Sequence, residues 1–224
     1  TAAGAYQCCN SRNNDMATRL LRRLLSMTNT PEIDLQDIGQ WLGQPAARVD
    51  ELLRHLKKLG WVQCHEHVHT VNAGKFEDVL PGLLKPLSSN GKCLLADAQG
   101  FYVASAGFPH ETAEELSALS ADLASLYDRH SALLKGNLNH GAGNWAIVDA
   151  AGFSQLGVWS LCIDNENFYL VLEGLPRFDR DEFLQLAWIL HHRYASRTTV
   201  REHTGTPPSM TSSNSFSQSQ SLAC

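Results

Sequence analysis

The side chains best suited to chemistry in this 224-residue chain crowd into one stretch, WVQCHEHVHTV, where Cys64 is followed by His65, His67 and His69. Alternate residues of an extended strand project to one side, so three imidazoles at this spacing have the reach to converge on zinc or nickel. The stretch also spans a turn around Glu66, with no second cysteine pair and no nearby cluster of acids. A solvated hairpin tip is therefore expected there, with no metal and no cofactor. Gly141 and Gly143 in NHGAGNW suggest a phosphate loop, but they precede a strand rather than a helix N-terminus, which removes the reason for anion binding. His191 and His192 fall near the end of the last helical pattern, where a cation favours the dipole. The chain has no Gly-x-x-x-x-Gly-Lys-Ser/Thr loop, no Gly-x-Ser-x-Gly elbow and no Cys-x-x-Cys. With no nucleophile identifiable beside any histidine, a non-enzyme is expected.

Composition narrows the partners. The hydrophobic fraction is 43% and the net charge −5, enough apolar content for one large or two small domains and too little positive charge for a general nucleic-acid binder. No apolar run approaches the roughly 20 residues that span a bilayer, and TAAGAYQCCNSRNND lacks the build of a signal peptide, so no membrane role and a cytoplasmic location are expected. Apart from the neighbours Cys8 and Cys9 the six cysteines lie far apart, and Cys93 and Cys162 sit in strand-like runs, which suits buried reduced thiols. Residues 1–15 are polar and unpatterned and read as a disordered N-terminus, with Met16 as a natural start; 201–224 read as a disordered Ser/Thr/Gln-rich tail.

Between these ends the periodicity divides in two. Over 16–73, Leu20, Leu21, Leu24 and Leu25 share one helical face. Asp34 can cap a second short helix ended by Gly43, and Val49, Leu52, Leu53, Leu56 and Leu59 mark a third helix that opens at Pro45. Trp61–Cys64 and Val68–Val71 then read as two short strands. Helix, helix, tight turn, helix and hairpin is the winged helix-turn-helix order, and IGQWLGQPAARVDELLRHLKKLGWV resembles that superfamily. The resemblance implies that the third helix carries any DNA-reading face, through Arg48, Arg54, His55 and Lys58. Asp50 and Glu51 in its first turn oppose phosphate, and residues 16–74 hold seven basic against six acidic side chains, net +1.

Over 74–200 an amphipathic helix from Phe76 leads to two strands around the turn Asp97–Gly100, a long helix over 111–134, three more strands and a final helix, Asp179–Arg197. The turn recurs: DAQGF at Asp97 and DAAGF at Asp149. The fold class is α+β, in the order α-β-β-α-β-β-β-α, with a five-stranded antiparallel sheet. Trp145, Trp159 and Trp188 read as packing residues. Residues 76–196, and above all LLADAQGFYVASAG with the helix after it and the strand FYLVLEG, resemble the roadblock family of dynein-light-chain-like proteins.

In the long helix, Leu116, Leu119, Leu123, Leu126 and Leu133 form a stripe expected to lie on the sheet, while Ser117, Ala118, Ser120, Ala121, Ala124 and Ser125 keep another face small. A homodimer interface is expected on that small face, through Ser117, Ala118, Ala121, Ala124 and Ser125, together with Trp145 and Ile147 of an apolar edge strand at 145–150. The roadblock resemblance implies a non-catalytic, dimerising regulatory or scaffold protein whose protein partner is a small Ras-like GTPase. The alternative expectation is a transcription regulator, the sheet domain pairing two winged helices on nucleic acid.

Overall fold

Two copies of one turn chemistry frame the sheet. In the computed structural model, Asp97 Oδ1 accepts the amide hydrogens of Gln99 (2.9 Å) and Phe101 (3.0 Å), and Asp149 Oδ1 those of Ala151 (2.9 Å) and Phe153 (3.0 Å). Gly100 and Gly152 take φ of 87° and 86°, a region that glycine enters without a Cβ penalty. The turns join β1 (Cys93–Asp97) to β2 (Tyr102–Ala106) and β3 (Trp145–Val148) to β4 (Ser154–Ile163), and β5 (Glu166–Glu173) completes five strands. All pairings are antiparallel in the order β2-β1-β5-β4-β3, so β5 is central and β2 and β3 are the edges. The five-stranded antiparallel sheet expected from the strand pattern is therefore present. Residues 1–203 are described except Arg12, Ala73 and Ala142, with backbone alone for 195–203; of the disordered tail expected over 201–224, residues 201–203 are helical and the rest lies outside the described residues.

Alternation along the strands gives each face its own core. Leu95, Leu161, Ile163, Leu170 and Leu172 point to one side, where α5 (Phe76–Leu84) and α7 (Asp181–His203) bury Leu80, Leu84, Phe183, Leu186 and Leu190 against them. Leu94, Ala96, Val158, Tyr169 and Val171 point to the other, beneath α6 (His110–Arg129) alone. A π-helical turn, Ala132–Asn137, continues α6 toward β3.

Residues read as a disordered N-terminus form a helix, α1 (Ala2–Asn10), with Ala2, Ala5, Cys8 and Cys9 buried. Alternating small and thiol side chains gave no amphipathic signal, yet they are what lets α1 wedge among α7, β4 and α2. The approach is close: a Cβ on Gly4 would lie 2.1 Å from the carbonyl oxygen of Trp61. Thr1 Oγ1 accepts from Gly4 N–H and donates to the Gly60 carbonyl (2.7 Å).

The head contains α2 (Met16–Ser26), α3 (Leu35–Leu42) and α4 (Ala46–Lys58) around Leu20, Ile38, Leu42, Val49 and Leu56. Asp34 Oδ1 accepts from Gln36 N–H (2.7 Å) at the start of α3, and Gly43, at φ 66°, closes it as expected. The hairpin of Trp61–Cys64 and Val68–Val71 does not form. Residues 63–70 are exposed throughout, so no half-buried face holds two strands together. Instead Asn29 bridges Thr70 in antiparallel fashion, with Thr30 N–H donating to His69 O (2.9 Å) and Val71 N–H to Thr28 O (2.8 Å). Leu21 and Leu25 pack with Cys8, Trp61, Leu184 and Trp188, and the Trp188 indole N–H donates to Met27 O (2.7 Å), so head and sheet domain share a core.

Candidate protein-interaction surface

The long helix α6 follows the leucine-stripe expectation only in part: Leu116 and Leu123 pack, half-buried, against the sheet core, but small residues are the ones it buries fully. Ala113, Ser117 and Ser120 are its buried residues, Ser117 and Ser120 completely so, while Leu119 is 41% and Leu133 49% exposed. Ser117 Oγ donates to Ala113 O (2.6 Å) and Ser120 Oγ to Ser117 O (2.7 Å). With each hydroxyl satisfied inside its own helix, burying it costs little, and its small size brings the helix axis close to the sheet. The β1–β2 turn exploits the same closeness: a Cβ on Gly100 would lie 3.2 Å from Ala121 Cβ and 3.3 Å from Ala118 Cα.

This placement corrects the expected dimer surface residue by residue. Ser117 is unavailable to any partner. Ala121 faces the Gly100 turn, and Ala124 is half-buried against the sheet core. Ala118 and Ser125 remain exposed. In β3, Ile147 is 63% exposed, and Trp145 is half-buried with its indole N–H buried and without a hydrogen-bond partner among the described residues.

Two surfaces that sequence reasoning separated lie on the same side of the sheet. Trp145 pairs with Val158 and Ile147 with Leu156; Val158 and Leu156 belong to the core under α6, so Trp145 and Ile147 point to that side. The helix lies chiefly over β1, β5 and β2, with Val158 of β4 still buried at its margin, and leaves the β3 end of this face open. One flank of α6 rests on the Gly100 turn. The other carries Leu116 and Leu123, half-buried against the core, with Leu126 half-buried and Leu119 exposed beside them, and, at Tyr127, reaches the loop before β3, where Tyr127 donates to His140 O (2.8 Å). The open area is thus an apolar shelf between a leucine flank and an edge strand whose outer side has no partner among the described residues.

The other candidate residues are dispersed. Arg48 pairs with Glu51 (2.8 Å) and Arg54 with Asp50, all four exposed or partly exposed, while His55 and Lys58 are exposed on the same helix. His65 and His69 meet edge to face at 4.6 Å. Trp159 and Trp188 are half-buried against the α7 side of the core.

His191, expected near a helix end, is fully buried in the middle of α7 because the helix continues to His203. Its Nε2 lies 3.6 Å from Cys8 Sγ and 3.8 Å from Cys9 Sγ, and its Nδ1 lies 3.9 Å from an Asp164 carboxylate oxygen. Cys, His and Asp in this order match a nucleophile, base and orienting acid, but burial sets the chemistry against it. Burial pushes the Cys8 thiol up to about 12 and Cys9 well above its usual value. Burial first, then the Arg22 charge, drives His191 down to about 3, so thiols and imidazole are all neutral at pH 7. Burial also raises Asp164, against the pull of Arg22. The adjacent cysteines at 8 and 9 were the available signal, lost once that segment was read as unfolded.

No family model matches the chain, and no curated protein matches it. Among the described residues no helix is long and apolar enough to cross a membrane. Solved structures similar to the chain include a Roadblock/LC7 domain from Streptomyces avermitilis, at 13% identity and a TM-score of 0.34, and Myxococcus xanthus MglB, at 10% identity and a TM-score of 0.35. Each covers 54% of this chain and 97% of its own.

Proposed function

We propose that this chain is a non-catalytic regulatory or scaffold protein of the cytoplasm that pairs with a second copy of itself across the open end of its sheet and docks a protein partner. The observation that carries the reading is the apolar shelf, where Leu119 of α6 stands exposed, as do Ile147 and Val148 of an edge strand whose outer side has no partner strand among the described residues. An exposed apolar edge strand without proline or inward charge invites pairing with another strand, and two-fold use of one edge covers it on both copies. Free, buried Cys8, Cys9 and Cys93 accord with a reducing compartment. By the family resemblance the docked partner is a small Ras-like GTPase. Ile147→Arg tests the pairing by sedimentation: the parent is expected to run as a dimer and the variant as a monomer with an unchanged melting temperature. A parent that is already monomeric at high concentration overturns it.

We read the head as winged-helix-like, on the strength of its three helices and the antiparallel pairing of 28–30 with 69–71. A DNA-reading role for it is the weaker alternative, since Arg48 and Arg54 are engaged by carboxylates of their own helix. A mobility-shift assay at low salt is expected to show no complex; a salt-sensitive shift lost in an Arg54→Ala, Lys58→Ala double variant would reinstate it.

A further inference from the structure

Three arginines behave unlike those of α4. Arg19, Arg22 and Arg23 follow one another along a flank of α2, and no carboxylate pairs with any of them among the described residues. Like charges three and four residues apart on a helix repel, so the arrangement costs stability unless an anion offsets it. The three side chains line an open cavity of about 470 Å³ between head and sheet domain, bounded also by Trp41 and Leu42 of α3 and by Asp164 from the β4–β5 turn. Arg23 lies over the Trp41 ring, 5.6 Å from its centre. Arg22 reaches deepest: one terminal N–H donates to Ser11 O (3.0 Å) and the guanidinium lies beside the Cys8 thiol, while its Nε is buried with no hydrogen-bond partner among the described residues. A buried, unsatisfied guanidinium donor is costly and calls for an acceptor.

We propose that this cavity binds the phosphate group of a small organic phosphate. Three guanidiniums facing one carboxylate leave two positive charges over, which a phosphate dianion matches and a single carboxylate does not. Planar N–H forks suit its several acceptor oxygens. The volume falls in the range of ligand cavities, about 300–1,000 Å³, and exceeds what a bare phosphate fills, so the indole of Trp41 and the side chain of Leu42 are left as apolar walls for the organic part. Asp164 lines the same cavity and opposes an anion; burial already holds this carboxyl toward its neutral form. Because Arg19, Arg22 and Arg23 belong to the head and Asp164 to the sheet domain, an occupied cavity ties the two together.

The test titrates the full chain with inorganic phosphate, pyrophosphate and a nucleoside triphosphate at constant ionic strength, reading melting temperature and heat of binding, with chloride and citrate as controls. Saturable binding is expected for the phosphate series, tightest for the nucleotide, since it also uses the apolar walls. Arg19→Gln and Arg23→Gln change exposed side chains and leave the fold intact; each is expected to weaken binding about tenfold, the loss of one charge-assisted contact. Binding of inorganic phosphate as tight as that of the nucleotide would remove the organic part from the proposal. The proposal fails if citrate or an acidic peptide binds as well as the phosphates, if no titration saturates, or if a variant carrying both Arg19→Gln and Arg23→Gln binds like the parent. None of these outcomes depends on whether the chain dimerises.

Discussion

The two faces of the sheet are built to opposite ends. On one, three helices seal a continuous core, and even the room for an indole is cut to measure: Gly157 lacks the Cβ that would otherwise meet the Trp159 ring at 2.1 Å. On the other, one helix rides close on serine and alanine and stops short of β3, leaving leucine, isoleucine and valine in solvent. Stability and availability are thus assigned to different sides of one layer, so substitutions on the two sides should separate cleanly in what they change.

The largest effect belongs to the sealed face. Phe183 is fully buried in α7 between the sheet and the aromatic group of Tyr6 and Phe178. Phe183→Ala is expected to cost about 3–5 kcal/mol of unfolding free energy, measured by denaturant titration. A loss as small as that of an exposed position would show that this face is not the stabilising one.

Acid should act on the same side. His191 is buried and neutral, with Cys8, Cys9, Asp164 and Arg22 around it, and its folded pKa of about 3 lies below the ordinary 6.5. The unfolded chain therefore takes up a proton that the folded chain refuses, and the stability present above about pH 6.5 falls as the pH drops toward 3. The loss is on the order of 3 kcal/mol at about pH 4. Asp164, with its pKa raised, works the other way: its burial cost is relieved as it protonates, which blunts the acid end of the curve. His191→Leu should flatten stability between about pH 6 and 4; an unchanged slope would place the acid sensitivity elsewhere.

How much of this contrast could be read in the chain depends on what each element uses to pack. Strands and helices that pack with large apolar side chains at a regular period were legible: β5 from FYLVLEG, α4 from Val49 to Leu56, and the twin turns from their repeated Asp-Ala-x-Gly-Phe. Elements that pack by being small were not. Ala113, Ser117, Ser120 and Ala124 do recur at helical spacing, but a polar small residue signals surface unless its hydroxyl is known to bond back into the helix. The same holds for α1, whose Ala, Gly and Cys side chains are buried against backbone rather than in an apolar stripe. The candidate shelf was half legible: Trp145 and Ile147 came from the edge-strand pattern, and Leu116 and Leu123 do pack on the sheet as their stripe predicts, while Leu119 and Leu133, assigned to the core with them because leucine usually belongs there, are exposed.

Close packing by small residues makes a sharper prediction of middle size. At Gly4 an added Cβ meets a main-chain oxygen, which cannot rotate away, and at Gly100 it meets α6 at a φ of 87°. Gly4→Ala and Gly100→Ala are each expected to cost about 1–3 kcal/mol in thermal unfolding. Gly43→Ala, where nothing lies within 4 Å, isolates the backbone share of such a cost, since it too has positive φ. Equal losses at Gly43 and Gly100 would mean that the helix contact contributes nothing.

The smallest effect on folding should come from Leu119, and it is the one that decides between the two orientations of α6. If leucines faced the sheet, Leu119→Gln would place an amide in the core and destabilise by several kcal/mol, as a buried unpaired polar group does. With Leu119 on the open flank the exchange removes apolar surface already in contact with water, and the melting curve should move by no more than about 0.5 kcal/mol. Self-association should weaken all the same, because the shelf loses one wall, whereas Ser117→Leu, which forces a large side chain into the buried contact, should unfold the protein without any prior loss of the dimer. Opposite orders of sensitivity at 117 and 119 would return the small residues to the surface and the leucines to the sheet.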